Sequence, residues 1–503
     1  NKISTINDGA FEALVNLKTL YLNENQFEEI PALPISTLEY LNFGYNKIST
    51  INDGAFEALV NLKTLYLNSN QLEEIPELPI STLEYLSFGQ NKISTINDGA
   101  FEALVNLKKL FLYNNELEEI SELPISKLEY LDLAYNKIST INDGAFEALV
   151  NLKTLYLHEN QFEEIPALPI STLEYLSFGQ NKISTINDGA FEALVNLKKL
   201  SLYNNELEEI PELPISKLEY LDLAYNKIST INDGAFEALV NLKTLYLNSN
   251  QLEEIPALPI STLEYLSFGQ NKISTINDGA FEALVNLKKL FLYNNELEEI
   301  PELPISKLEY LDLAYNKIST INDGAFEALV NLKTLYLNGN QFEEIPALPI
   351  STLEYLSLHS NKISTINDGA FEALVNLKTL YLNGNQLEEI PALPISTLEY
   401  LSFGHNKIST INDGAFEALV NLKTLYLNSN QLEEIPELPI STLEYLSFGQ
   451  NKISTINDGA FEALVNLKIL YLYGNEFEEI PALPISTLEY LSFGQNKIST
   501  IND

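Results

Sequence analysis

The sequence predicts an α/β solenoid with one parallel β-sheet on its concave face. Alternating short helical turns and extended, polyproline-like segments are expected on the convex face. Three observations carry this. The phrase beginning Asn1-Lys2-Ile3-Ser4-Thr5 returns every 45 residues, so the 503 residues make eleven such units plus eight. A fixed period of this size marks stacked repeats, where length alone would suggest several globular domains. Each unit also holds two leucine runs with a shared spacing, separated by two different kinds of return segment. Residues 1–503 are therefore read as a single solenoid without recognisable caps.

The first run is Leu17, Leu20, Leu22, Asn25 and Phe27. The second, 21 residues later, is Leu38, Leu41, Phe43, Asn46 and Ile48, and the next begins at Leu62, 24 residues on. Alternating 21- and 24-residue subunits give 22 strand motifs in all. In each LxL the leucines point inward and the residues between them point out. The asparagine three residues later sits where the chain leaves the strand, and its amide can satisfy backbone groups of adjacent turns. Asn25, Asn46, Asn70, Asn91, Asn115 and Asn136, with their equivalents, are read as a structural ladder.

The returns differ. Ile51-Asn52-Asp53-Gly54-Ala55-Phe56-Glu57-Ala58-Leu59 offers a cap and then a helical turn with Phe56 and Leu59 on one face. Ile30-Pro31-Ala32-Leu33-Pro34 cannot be helical, because proline removes donors and pushes its predecessor toward extended geometry.

These residues resemble the leucine-rich repeat superfamily. The phrase LEYLNFGYNKISTINDGAFEALVN is similar to its typical 24-residue class, and IPALPISTLEYL to the shorter class of small leucine-rich proteoglycans and some bacterial proteins. The resemblance implies a non-enzymatic binding or scaffold protein that works through its concave face, extracellular or at the cell surface. The cysteine-rich caps of extracellular members are absent from these residues.

With 29 basic against 70 acidic residues, the net charge is -41. Such a surface excludes nucleic acid, which needs basic side chains on its phosphates. No apolar run approaches the roughly 20 residues of a membrane helix, so membrane insertion is not expected. No cysteine and no N-x-S/T sequon is present. Catalytic residues, metal ligands and cofactors are expected to be absent, because every candidate base or nucleophile recurs in register and an active site needs one asymmetric constellation. His158, His359 and His405 are rare enough to be exceptions, and are read as exposed surface residues. The Glu28-Glu29 pair is read as a solvated acidic edge in preference to a calcium ladder, and Asp8-Gly9 as a turn and cap.

The outward strand positions hold the candidate binding surface. They are Thr19, Tyr21 and Asn23 in one subunit and Tyr40, Asn42 and Gly44 in the next. Its candidate residues are Tyr21, Tyr40, Tyr66, Tyr85, Tyr130, Tyr156, Tyr175, Tyr220, Tyr246 and Tyr265; the Tyr40 position, matched in every unit, gives an eleven-rung tyrosine ladder suited to a glycan or protein ligand or to stabilising the sheet itself. Where Thr19 becomes Lys109, Lys199 or Lys289, Asn42 becomes Asp132, Asp222 or Asp312, and diagonal ion pairs are expected. These exchanges alternate with a 90-residue superperiod.

Two functions are carried forward from the sequence. One is a structural scaffold, a segment of a longer array whose chains self-associate end to end into an extracellular fibre. The other is a binding or adhesion module for a periodic glycan or fibrous protein. A designed repeat scaffold is a third reading.

Overall fold

The computed structural model describes residues 2–499 apart from 8, 53, 98, 188 and 233. The cap expected at Asp8 and Asp53, and the terminal residues Asn1 and Asp503, lie outside that set. The chain forms two compact units, Asn1–Gln251 and Leu252–Asp503.

Unit one holds eleven three-residue strands, from Thr19–Tyr21 and Tyr40–Asn42 to Tyr220–Asp222 and Thr244–Tyr246. Each runs parallel to the next, with Thr19 opposite Tyr40, Leu20 opposite Leu41 and Tyr21 opposite Asn42. Unit two repeats the plan with eleven strands, from Tyr265–Ser267 to Tyr490–Ser492. Each unit is thus a parallel-strand solenoid of about eleven turns among the described residues. The central leucine of the strand points inward: Leu41, Leu65 and Leu86 are fully buried. So are the residues two places on, Phe43, Leu67 and Phe88. Each such side chain contributes about 1.5–3 kcal/mol of burial.

The asparagines close the strand exits. Asn70 Nδ2 donates to Phe43 O (3.0 Å) and Leu67 O (3.1 Å), and its Oδ1 accepts from Ile48 N (2.9 Å). One side chain thereby ties two turns together. Asn115 repeats this with Phe88 O, Leu112 O and Ile93 N, while Asn46, Asn91 and Asn136 receive Phe27 N, Leu72 N and Leu117 N. Asn25 accepts from Ile3 N and donates to Leu22 O.

The helical returns expected from sequence do not form: among the described residues there is no helix. The segment after Ile51 is instead a chain of separate turns, closed by Ala55 N to Asn52 O, Glu57 N to Gly54 O, Leu59 N to Phe56 O and Leu62 N to Leu59 O. Gly54 explains the failure. Its φ of +78° lies in the left-handed region, so a right-handed helix cannot run through it. Phe56 and Leu59 still point inward, at 3% and 1% exposure. The proline segment carries neither helix nor strand and buries Leu33 and Ile35.

A second pairing was not foreseen. Glu74–Ile75 runs parallel to Thr95–Ile96, and the same two-residue ladder recurs at Glu119–Ile120 with Thr140–Ile141. Where phenylalanine replaces leucine immediately before the Glu-Glu pair, as at Phe27, Phe162 and Phe342, only a single bridge is made. Phe27 and Phe162 there meet Phe43 and Phe178 edge to face at 5.5 and 5.2 Å.

Candidate binding face

The outward side chains of the short strands fall into rows set by the register. Tyr40 lies opposite Thr19 and Thr64, while Tyr21 and Tyr66 lie opposite Asn42. The two tyrosine positions are therefore offset by two residues, and their rings meet diagonally as one zigzag. Centroids are 5.1 Å apart for Tyr21–Tyr40, 5.5 Å for Tyr40–Tyr66 and 4.8 Å for Tyr66–Tyr85. Tyr130, Tyr156 and Tyr175 continue the series at 5.6 and 4.9 Å, and Tyr220–Tyr246 stand 5.7 Å apart. In unit two Tyr265 opens the same zigzag, 5.0 Å from Phe291. The rings are tilted by 35–53° across unit one, an offset arrangement that suits the ring quadrupoles.

Phe111 and Phe291 are rungs of this ladder that a search for tyrosines overlooks. Phe111 stands 5.0 Å from Tyr85 and 4.9 Å from Tyr130. Register alone places it there, because it takes the position of Tyr21. Packing half-buries the phenols. Burial first pushes Tyr85, Tyr130 and Tyr220 well above the usual tyrosine range and Tyr175 up to about 12; second comes a neighbouring tyrosine for Tyr85 and Tyr175, and the Asp132 or Asp222 carboxylate for Tyr130 and Tyr220. The face therefore presents neutral hydroxyls on a mostly apolar strip.

Beyond the tyrosines lies a row in which small and large residues alternate. Gly89 sits under the Tyr113 ring, and a Cβ added there would run into it. Gly179 under Tyr203 and Gly269 under Tyr293 repeat the arrangement. Where the next turn carries His158, Asn248 or Asn338 instead, the position holds Ala134, Ala224 or Ala314. The match runs one way in the sequence: Tyr113, Tyr203, Tyr293 and Tyr473 each have glycine 24 positions before, whereas asparagine follows glycine at Gly44 and Gly404 as well as alanine.

The diagonal ion pairs expected from sequence are not formed. Lys109 lies directly opposite Tyr130, and Asp132 opposite Phe111, which leaves lysine and aspartate about 7–8 Å apart across the diagonal. Asp132 Oδ1 instead accepts from Ala134 N at 3.1 Å, and Asp222 and Asp312 do the same with Ala224 and Ala314 at 3.0 Å. Burial raises all three carboxyls above their ordinary range. Ion pairs form instead between strand entries, as Lys63 to Glu39 at 2.8 Å and Lys108 to Glu84 at 2.7 Å, and past the strand exits, as Lys137 to Glu116 at 2.9 Å. Hydrogen bonds from Lys63 and Lys18 hold Glu39 down to about 2.

Two of the three histidines differ from expectation. His158 and His359 are half-buried, and His405 is exposed. His158 packs edge-on to Tyr135 and Tyr156 at 5.4 and 5.7 Å, and burial lowers its pKa. Its strand-exit position makes it a packing residue of the small-and-large row. Glu29, from the acidic edge, accepts from Asn52 Nδ2 at 3.0 Å. Among the described residues no three His, Asp or Glu side chains converge as ion ligands would. No helix among them is long and apolar enough to cross a membrane.

A family profile described as leucine rich repeat matches residues 35–72, 80–122, 124–162, 170–212, 215–252, 260–301, 305–342, 350–390, 395–432 and 440–477. No curated protein sequence matches the chain. Among solved structures the chain is similar to YopM from Yersinia enterocolitica, with 23% identity and a TM-score of 0.65 over 97% of this chain and 89% of that one. It is also similar to the Toll protein of the Drosophila Toll–Spatzle complex, at 17% identity and a TM-score of 0.60 over 94% and 79% of the two chains. The plant peptide hormone receptor RGFR1, solved with RGF2, gives 22% identity and 0.54 over 96% and 90%.

Proposed function

The chain belongs to the leucine-rich repeat family, and on that premise we propose a non-catalytic binding protein whose outward sheet face engages a periodic partner. The partner class is an extended polysaccharide or a fibrous protein, met outside the cell or at its surface. The observation that carries this is the ring zigzag. It offers one tyrosine of the Tyr40 type per 45-residue unit, about 10 Å apart at two strand spacings. A globular ligand would select a surface that differs from turn to turn, whereas this one repeats. Similar solved structures hold a peptide hormone or Spatzle, which supports a binding role for the fold. Neutral hydroxyls and ring faces suit sugars and apolar side chains alike.

Co-sedimentation with insoluble polysaccharides and with collagen fibrils tests the proposal. A variant carrying Tyr85→Ser, Tyr130→Ser and Tyr175→Ser should lose most of the bound fraction. Retention equal to the parent chain would reduce the ladder to a sheet-stabilising device.

A second reading, end-to-end self-association, rests on the regularity of the stack: each strand pairs in one parallel register with the next, as Tyr445–Ser447 does with Ile469–Tyr471, and a second copy can offer the same edge. Sedimentation velocity at rising salt tests it: growth of elongated species supports the reading, and a concentration-independent monomer removes it.

A further inference from the structure

The ring zigzag of unit one is broken once. Its rungs run without a gap from Tyr21 through Phe111 to Tyr175, and contacts resume at Tyr220–Tyr246. Between them the strand Lys199–Ser201 carries a serine where every other unit has tyrosine or phenylalanine. The surroundings of that serine duplicate those of Phe111 at a shift of 90 residues. Tyr175 matches Tyr85, Ser177 matches Ser87, Lys199 matches Lys109, Tyr203 matches Tyr113, Tyr220 matches Tyr130 and Asp222 matches Asp132. The register is also the same, with Ser201 opposite Ser177 and Asp222 as Phe111 is opposite Ser87 and Asp132. Only the ring is missing.

The flanking side chains respond to the loss. Tyr220 Oη donates to Asp222 Oδ2 at 3.3 Å, a bond that Tyr130 and Tyr310 do not make with their own aspartates. Ser201 is 7% exposed, close to the 3% of Ser177 opposite it, so the short side chain lies low on the sheet face. In the intact turns the ring stands 5.0 and 4.9 Å from its two tyrosines, at Phe111 and again at Phe291. Those contacts define the shape and chemistry of what the gap would hold.

We propose that the turn at Ser201 binds one neutral monocyclic aromatic ring, seated between Tyr175 and Tyr220 in the place that Phe111 and Phe291 fill from within the chain. The two phenols supply offset stacking faces, and Ser177, Ser201 and Asp222 form the floor. Deleting a ring from a packed apolar site leaves a vacancy that takes up benzene-like guests in other proteins. Here the guest must displace the Tyr220–Asp222 bond, so binding is weak and reversible. The inference concerns a small molecule and stands apart from the periodic partner proposed above.

The test uses the full chain and 4-fluorophenol, followed by fluorine NMR titration. One saturable site per chain is expected. Ser201→Phe, which recreates the Lys-Leu-Phe strand that folds at residues 109–111 and 289–291, should weaken binding at least tenfold. Phe111→Ser should add a second site of similar affinity. Absence of saturable binding, binding unchanged in Ser201→Phe, or a single site retained in Phe111→Ser would each overturn the proposal.

Discussion

The inward and outward halves of each turn obey different rules. Inside, Leu65, Leu86, Leu110 and Leu131 recur in register at full burial, and Asn70, Asn91, Asn115 and Asn136 receive backbone donors one turn away. Outside, the same strands carry Thr64, Tyr85, Lys109 and Tyr130 at one position and Tyr66, Ser87, Phe111 and Asp132 at the other. The inner half is held constant because each residue completes both its own turn and the next. The outer half varies, but in linked sets: a tyrosine at the strand exit, as at Tyr113, Tyr203, Tyr293 and Tyr473, sits over glycine in the turn before it.

The largest effect should come from breaking the inner half. Phe236→Ala, at a site 3% exposed in a return segment, should cost about 3–5 kcal/mol, read from the denaturant midpoint. Next comes Asn205→Ala. It would orphan Ile183 N, while the carbonyls of Phe178 and Leu202 keep the Asn181 and Asn226 amides, and should cost about 1–3 kcal/mol in the same measurement.

Outward changes should be no larger, and context-dependent. Gly89→Ala should cost about 1–3 kcal/mol by displacing the Tyr113 ring. The cost should disappear in a Tyr113→Asn background, as Ala314 beside Asn338 already does in the native chain. A double-mutant cycle reads that coupling.

Asp222→Asn should have the smallest effect, and its sign is set by pH. Burial raises the folded pKa of Asp222 above its unfolded value, so the native state holds the extra proton between the two. Stability then falls as pH rises through that window. The asparagine variant should be more stable than the parent near pH 7 and lose the advantage near about pH 3, as unfolding midpoints at the two pH values would show. Asn42, whose Oδ1 accepts from Gly44 N at 2.8 Å, shows that the amide keeps the turn-closing bond.

This division also decides what was legible in the sequence. Strand positions, inward leucines and the family itself follow from the spacing of Leu17, Leu20, Leu22 and Asn25, because period-2 burial leaves one arrangement for such a run. The return after Ile51 was misread: Phe56 and Leu59 carry helical spacing, but Gly54 adopts a conformation that spacing does not reveal. The tyrosine positions were legible as two rows, yet their union into one zigzag depends on side-chain direction, which only the structure supplies. The Lys109–Asp132 exchange was correctly seen as linked and wrongly explained by charge. The linkage is to the Tyr113 and Ala134 row, where Asp132 turns back to a backbone N–H. The gap at Ser201 was present as a single letter, and became informative only beside the packed Phe111.

The central claim is that the outward half can be exchanged as a set while the inward half cannot. The most direct measurement is the unfolding midpoint of a chain carrying Lys109→Thr, Phe111→Tyr and Tyr113→Asn together, which converts one turn into the outward set of Thr64, Tyr66 and Asn68. Stability within about 0.5 kcal/mol of the parent is expected, the range for surface changes that touch no buried network. A loss of about 2 kcal/mol or more, the scale of an orphaned buried hydrogen-bond group, would contradict it.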